Sequence, residues 1–485
     1  MSSPLRVLTS TPRARAKAIA RLLRARPRPP VRIAHLGLGA FHRAHQAMYI
    51  ARAADGADWG IRAFTGHDVR LPALLAAQDC LYTVVQRGPD RDQLAVGTAL
   101  ADARPGGDIA AWRAVCRDPR TSLITLTVTE AGYHLRGDGR LNCDDPAVLA
   151  DLAALSREAR SREALSRDSA RVGAAPATAI GRLALGLLDR YSHGGPPVAV
   201  VSCDNIAGNG ARLRAAMLEF AAGLPPGLAT WMEPNVAFPS SVVDRITPAT
   251  TSGDVAVIAA TAGIRDEAAV ITEPASEWVL EDLPAGPGLH VGLPDLRSAG
   301  VTITADPLPF EQRKLWMLNG AHTLLAYTGL LRGHATIAQA FADPLARTWA
   351  EEWWDAASRH VGLPAESIAA YRRELTDRFA NPRIQHLVTQ VAVDPLAKLA
   401  VRVLPVLRRE LASRRLDAAA VRPVAAWLAV TAVTASSATA GATALTADRV
   451  RGALRQLDAE CAADDQVVAM TRATAGELQA LAQSK

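Results

Sequence analysis

The spacing of apolar residues changes character near residue 300, and that change limits the fold more than any other feature of the chain. Before it, residues 31–36, 59–64, 81–86, 122–128 and 197–203 read as strands. Helical spacing intervenes at about 44–53 and 209–222. Strands that alternate with helices imply a parallel sheet, because each crossover helix returns the chain to the same end of it. Beyond 300 the spacing is helical almost throughout, over 309–331, 394–411 and 421–432. Pro284, Gly286, Pro287 and Gly288 form a breaker cluster between the two regimes. The expectation is an α/β domain over residues 1–290, led by a basic arm at 1–30, and a mostly α-helical domain over 291–485.

At 485 residues the chain is too long for one ordinary core. Its 49% hydrophobic and 21% charged residues fit a globular protein. Residues 424–447 carry no charge, but Ser, Thr and Gly dilute them too far for a membrane span. The N-terminus has no apolar segment of the secretory kind. Five scattered cysteines argue against a disulfide framework and a zinc knuckle, so a reducing, cytoplasmic setting is expected. The net charge of +6 owes much to Arg13, Arg15, Lys17, Arg21, Arg24, Arg26 and Arg28. These are read as a solvated leading helix stopped by Pro27, Pro29 and Pro30, not as a nucleic-acid-binding arm. Residues 151–175, with the near-repeat Ser156-Arg157-Glu158-Ala159 and Ser161-Arg162-Glu163-Ala164, read as an exposed charged helix or a loop insertion.

One bias is sharper than the averages. Of 54 Lys and Arg residues, only Lys17, Lys314, Lys398 and Lys485 are lysine. Arg does not release its proton in a protein, whereas a buried Lys can. An interior Lys in such a chain is a candidate for chemistry that Arg cannot perform. Asn is also scarce, and Asn205 and Asn319 stand in informative places.

Gly37-Leu38-Gly39 follows a strand and precedes a helix, a context in which backbone N–H groups can approach a pyrophosphate. The third glycine of the usual fingerprint is replaced by His42. Asp68 is the nearest acid past the second strand; there it would accept from a ribose 2′-hydroxyl and favour NAD over NADP. Arg62 and Arg70 nearby would favour the reverse. His42 and His45 have the spacing of two metal ligands, but no third is evident and no metal is expected.

The run from Phe310 to His322 is the most informative. On an α-helix, Glu311, Lys314, Asn319 and His322 would fall within about 140° of arc among Leu, Met and Trp. Such a stripe faces either solvent or a site. Oxidising a secondary alcohol needs a base for the hydroxyl proton, and a buried lysine can serve. The developing alkoxide needs fixed donors, which Asn supplies. His322 could hold the substrate oxygen or orient Lys314.

Gly37 through Gln46, in the order Gly-Leu-Gly-Ala-Phe-His-Arg-Ala-His-Gln, resembles the N-terminal signature of the mannitol dehydrogenase family, the polyol-specific long-chain dehydrogenases. Matching blocks follow at Leu126 to Glu130 with Gly132 and Tyr133, Ser202 to Asn205, Val243 to Pro248, Glu273-Pro274 with Trp278, Lys314 to His322, and Arg378 to Pro382. The resemblance implies a Rossmann-type domain followed by a helical one, with the active site between them, NAD or NADP as cofactor and no metal. It implies Lys314 as base, Asn205 and Asn319 as oxyanion hole, His322 as substrate ligand and Glu311 on a proton path. Asp244, Arg378 and Lys398 would approach the substrate, while Gly37, Gly39, Phe41, His42, Arg43, Asp68 and Glu130 would line the cofactor. The family's Asp-Gly-Ser-x-Lys is here Asp394-Pro395-Leu396-Ala397-Lys398, which alters the grip on the substrate's far end. The expected reaction is D-mannitol to D-fructose in a monomer. The alternatives are reduction of fructuronate to mannonate and oxidation of a phosphorylated polyol. A non-catalytic NAD-binding regulator fits less well, because Lys314, Asn205, Asn319 and His322 are all intact.

Overall fold

A computed structural model describes residues 22–164, 175–224, 227–283, 291–439 and 445–483. The chain divides into two units, residues 1–87 with 92–307, and residues 88–91 with 308–485. The strands, in chain order, are β1 (Val31–Leu36), β2 (Gly60–Phe64), β3 (Tyr82–Arg87), β4 (Asp92–Gly97), β5 (Leu100–Arg104), β6 (Leu123–Leu126), β7 (Val198–Ser202), β8 (Val236–Ala237), β9 (Ser241–Asp244), β10 (Val270–Thr272), β11 (Glu277–Glu281) and β12 (Thr302–Thr304).

Six of them form one sheet in the order β5-β2-β1-β6-β7-β8, and every pairing in it is parallel. The winding reverses between β1 and β6, which is the doubly wound, Rossmann-type arrangement, with its ligand crevice expected at the carboxyl ends of those strands. Both faces of the sheet are covered. Trp112, Leu183, Leu187, Leu213 and Phe220 pack on one face, and Met48, Tyr49, Ile50, Leu75 and Tyr82 on the other. That is why β6 and β7 are buried at every residue and do not alternate.

The structure corrects several expectations. Residues 81–86 were expected in the parallel sheet, but β3 turns back on β4 as an antiparallel hairpin and pairs with β10 in a second sheet. The turn Gly88-Pro89-Asp90-Arg91 is too short to hold a crossover helix. A third sheet, β12-β11-β9, carries the first unit past the Pro/Gly cluster to residue 307. The cluster itself lies outside the described residues. The helix expected at 44–53 is two short pieces, Ala40–Ala44 and Gln46–Arg52, broken at His45 where ψ is −91°. The helix Pro146–Ala164 is not simply an exposed insertion. Leu155 and Ala159 are buried, Glu158 pairs with Arg113, and Asp151 accepts from Thr178 N at 2.9 Å and Oγ1 at 2.7 Å. Residues 165–174 of that segment lie outside the described residues. So do Arg13, Arg15, Lys17 and Arg21, whereas residues 22–30 form no helix. Arg24 and Arg28 bind Asp79, and their guanidiniums also donate to carbonyls at 98–101.

The second unit is helical. The helix Gly320–Leu331 is buried from Gly320 through Gly329, which explains why it shows little amphipathic contrast. Helices Pro344–Ser358, Ala365–Ala380, Pro395–Arg402, Leu404–Ala412, Ala418–Thr439, Ala447–Leu457 and Asp465–Gln483 follow, with shorter helices at Ile337–Ala342, Val388–Val391 and Ala459–Ala463. Its core gathers Leu324, Leu325, Phe341, Trp353, Trp354 and Leu375 with residues of the last helices. The single helix expected over 394–411 is interrupted at Val403 by Pro405 in the first turn of the next helix. Among the described residues no helix is long and apolar enough to cross a membrane.

Candidate active site

In the first unit the site begins at the carboxyl end of β1. Gly37 has φ of +101°, and a Cβ there would lie 2.0 Å from the Thr127 carbonyl oxygen. Glycine is therefore required by the protein itself. The turn is held by Gly37 N and Leu38 N donating to Phe64 O at 2.8 Å each, and by Thr127 Oγ1 donating to Gly37 O at 2.8 Å. Gly39 differs: its backbone is extended, and a Cβ would meet only Gly37 O, at 3.6 Å. Among the described residues its bareness serves no packing need, and it leaves room for backbone approach by a ligand, which fits a dinucleotide cradle.

The residues around the turn are placed as follows. His42 is fully buried and stacks on His35 at 3.4 Å between ring centroids, and burial holds the basicity of both rings well down. Arg43 donates through Nε to Gly39 O at 3.1 Å and through Nη1 to Ala268 O, so its guanidinium braces the turn from within. Phe41 stacks on His45 at 5.0 Å. Asp68 is exposed and accepts from Arg70 N at 2.7 Å and Leu71 N at 3.2 Å, at the start of the helix Arg70–Ala77. Glu130 is exposed in the short 3-10 turn that follows β6.

The sequence reading missed what fixes that turn. Asp204, at the end of β7, accepts from Val128 N at 3.0 Å, Thr129 N at 2.9 Å and Tyr133 Oη at 2.7 Å. Thr129 is thereby held at φ of +69°, a conformation that a β-branched residue adopts only under constraint. Burial pushes the Asp204 carboxyl up, against these hydrogen bonds. Asn205 follows in the same exposed turn. Asn209 ties the turn to β9: its Nδ2 donates to Ser202 O, Asp204 O and Ser241 O, and its Oδ1 accepts from Ser241 N at 2.9 Å. β9 ends on the buried Asp244. Scarcity of Asn pointed at Asn205; it pointed equally at Asn209, whose role is structural.

In the second unit, the run that carries Lys314 is not an α-helix. Leu308–Gln312 is α-helical, Arg313–Asn319 is π-helical, and Gly320–Leu331 is α-helical again. Gly320 N donates to Leu315 O, five residues back. The arc computed at 100° per residue therefore fails here. With i→i+5 bonding and roughly 4.4 residues per turn, residues five apart fall within about 50° of each other around the axis. Lys314 and Asn319 are five apart, so the π turn brings them toward one face, where an α-helix would rotate them well apart. Lys314, Asn319 and His322 are 7%, 8% and 6% exposed, which excludes the solvent-facing stripe. Asn319 Nδ2 is buried with no partner among the described residues.

A π segment shifts the helical ladder, and its carbonyls can take further donors. Here side chains add donors: Trp353 Nε1 donates to Trp316 O at 2.8 Å, Trp354 Nε1 to Met317 O at 3.1 Å, and Thr323 Oγ1 to Asn319 O at 2.9 Å. Trp353 can approach because position 320 is glycine; a Cβ there would lie 2.7 Å from the indole nitrogen.

His322 lies against Phe379 at 4.6 Å and His386 at 5.0 Å. Burial, reinforced by His386, Arg378 and Arg402, holds its basicity well down, so it is a neutral ring near pH 7. Arg378 pairs loosely with Glu374 at 3.8 Å. Lys398 Nζ donates to Val391 O at 3.0 Å. Glu311 is partly buried, one turn before Lys314. Among the described residues no cluster of side chains could hold a metal ion.

Comparison with known proteins agrees in both units. The family model for the mannitol dehydrogenase Rossmann domain matches residues 31–288, and that for the mannitol dehydrogenase C-terminal domain matches 306–480. D-mannonate oxidoreductase of Escherichia coli K12 is 36% identical over 394 residues, covering 78% of this chain and 76% of that protein. Mannitol 2-dehydrogenase of Cereibacter sphaeroides is 33% identical over 404 residues, covering 81% and 80%. Among solved structures, mannitol 2-dehydrogenase of Pseudomonas fluorescens, in a ternary complex with NAD and D-mannitol, matches with a TM-score of 0.76 at 28% identity, covering 94% of this chain and 93% of that one. With close to nine-tenths of its length matched by the family's two domain models, the chain belongs to the mannitol dehydrogenase family of oxidoreductases.

Proposed function

We propose that this protein interconverts a secondary alcohol of a polyol with the corresponding ketone, using NAD and Lys314 as general base. The observation that carries this reading is the pairing, on one π turn, of a buried lysine with a buried asparagine whose amide nitrogen lacks a partner. In alcohol oxidation the hydroxyl proton passes to Lys314 Nζ, while Asn319 Nδ2 donates to the oxygen as negative charge develops on it. Neutral His322 orients that oxygen, and Glu311 passes the proton onward. The resemblance adds Asn205 as a second donor, and Asp244, Arg378 and Lys398 toward the rest of the substrate. Gly37 and Gly39 would hold the dinucleotide, with Phe41, His42, Arg43, Asp68 and Glu130 around it. When bound, the nicotinamide supplies a hydride acceptor. NAD is favoured over NADP because Arg62, which could meet a 2′-phosphate, is paired with Asp102 at 2.9 Å. D-mannitol and D-fructose are the reference substrate pair.

The test is Lys314→Ala. Alcohol oxidation should fall by about 10²–10⁴-fold, with NADH affinity measured by fluorescence titration nearly unchanged. A variant that keeps its turnover but loses NADH binding would overturn the assignment.

A further inference from the structure

Thr129 holds a backbone conformation that glycine tolerates and a β-branched residue resists: φ is +69° and ψ is 162°. The residue is exposed, so packing of its side chain does not force that conformation. The constraint comes from Asp204, just past β7. One carboxylate oxygen accepts from Val128 N at 3.0 Å and the other from Thr129 N at 2.9 Å. Tyr133 Oη donates to the same carboxylate at 2.7 Å, and Tyr133 is itself buried and linked to Ser202 Oγ at 2.6 Å. Asn209 Nδ2 donates to Asp204 O at 3.1 Å and so fixes the backbone that carries the carboxylate. Asp204 makes no ion pair among the described residues; two amides and a phenol hydroxyl hold it.

Consecutive amides directed at one point form a concavity that suits an anion. Here the chain fills it with its own carboxylate, so these amides are not offered to a phosphate. The Thr129 carbonyl accepts from Gly132 N at 3.1 Å. What the residue has left is its hydroxyl, which makes no hydrogen bond among the described residues. The turn stands beside the glycine turn. β1 and β6 pair as far as Leu36 and Leu126, Thr127 N donates to Leu36 O at 2.9 Å, and Thr127 Oγ1 donates to Gly37 O at 2.8 Å. That is where the winding of the sheet reverses and a dinucleotide is expected. Glycine would adopt the backbone of position 129 without strain. A threonine kept there, and clamped there, points to use of its side chain.

We propose that Asp204 is a positioning residue that clamps Thr129 in its strained conformation, and that the Thr129 hydroxyl so held hydrogen-bonds the sugar–phosphate chain of the bound dinucleotide. This rests on the reading of the Gly37 turn as a dinucleotide site. It adds a binding residue just past β6 and, behind it, a device that acts through the turn. The clamp sets the turn before the cofactor arrives, so ordering it takes nothing from the binding affinity.

The experiment measures the NADH Kd by fluorescence titration, and the ligand-free Tm, for the full chain and for Thr129→Gly, Thr129→Ser, Asp204→Asn and the combination of Asp204→Asn with Thr129→Gly. Thr129→Gly should relieve strain, so its Tm should equal or exceed that of wild type, while its Kd rises about 3- to 10-fold, the range for one lost hydrogen bond. Thr129→Ser should recover most of that loss. The side chain introduced by Asp204→Asn has one donor and one acceptor arm, so it cannot accept from both amides. That variant should raise Kd about tenfold or more, by lowering the fraction of chains whose turn is preset. With the clamp gone the Thr129 hydroxyl is no longer held in place, so the combined variant should bind NADH no more weakly than Asp204→Asn. An unchanged Kd in Thr129→Gly, a lowered Tm in that variant, or additive effects of the two substitutions would each overturn the proposal. Should Asp204→Asn fail to fold, Tyr133→Phe, which removes one donor from the carboxylate, serves in its place with the same non-additivity expected. Wild-type protein that binds NADH, with Lys314→Ala inactive and the Thr129 variants unaltered, overturns this proposal alone. Wild-type protein that binds no NADH overturns the dinucleotide reading and this proposal with it.

Discussion

At the residue scale, the two glycines of the first turn look alike in the sequence and differ in physical meaning. Gly37 is glycine because of its positive φ and the Thr127 carbonyl. Gly39 is glycine although the chain leaves room for a methyl group. Gly37→Ala should therefore destabilise the fold by at least ~1–3 kcal/mol through strain, seen as a lower Tm without ligand. Gly39→Ala should leave that Tm within a degree or two, yet weaken NADH binding by about tenfold or more, consistent with the ~1.4 kcal/mol per decade of affinity. Equal effects of the two changes on Tm would remove the argument that Gly39 is shaped by a ligand. Arg43 carries a related lesson. A cation beside a dinucleotide turn invites a phosphate contact, but this guanidinium is directed at Gly39 O and Ala268 O.

At the scale of the element, the decisive unit is the π turn from Arg313 to Asn319. Two indoles donate to its carbonyls, and Gly320 leaves room for that of Trp353. Trp353→Phe keeps most of the packing and removes one donor. Losing that hydrogen bond to the Trp316 carbonyl should cost about 0.5–1.5 kcal/mol, measured by denaturant unfolding. Relaxation toward α-helical phasing should also separate Lys314 from Asn319 and lower kcat, with NADH affinity unchanged. A variant with wild-type kcat would show that the Trp353 bond is not needed to hold the phasing. None of this is legible in the spacing of Lys314, Asn319 and His322, because a helical wheel presumes the i→i+4 ladder. The Trp353-Trp354 pair was in plain view, but nothing local connects it to a segment some 37 positions away.

At the scale of the whole molecule, pH should act through carboxylates held by cations in the helical unit. Glu410 is fully buried and receives Arg359 Nη2 at 2.6 Å and His360 Nε2 at 2.6 Å, joining the end of the helix Pro344–Ser358 to the helix Leu404–Ala412. Burial alone would push its carboxyl up; the hydrogen bonds from Arg359 and His360 outweigh that and hold it below the usual range. Asp343 behaves likewise, with Arg332 and His334 as donors and the amides of Ala346 and Leu345. A depressed carboxyl stabilises the fold above its unfolded pKa and loses that contribution as pH falls through the folded value. Stability should thus be flat near neutrality and decline below about pH 4. Glu410→Gln should lower Tm at pH 7, and the difference from wild type should narrow toward pH 3. A difference that stays constant with pH would mean the ionic contribution is absent.

What the sequence determined by itself was the two-regime architecture and the candidates for the reactive residues. Both are local: strand and helix periodicities repeat over a few residues, and the scarcity of lysine isolates Lys314 wherever the chain goes. The order β5-β2-β1-β6-β7-β8, the diversion of β3 into a second sheet and the π turn were decided only by tertiary structure. Each depends on partners far away in the chain: β10 for β3, Trp353 and Trp354 for the π carbonyls, and Asp204 for the constrained Thr129. Hydrogen bonds between residues distant in sequence leave no period in it, so the geometry around a reactive residue is set where its name is not.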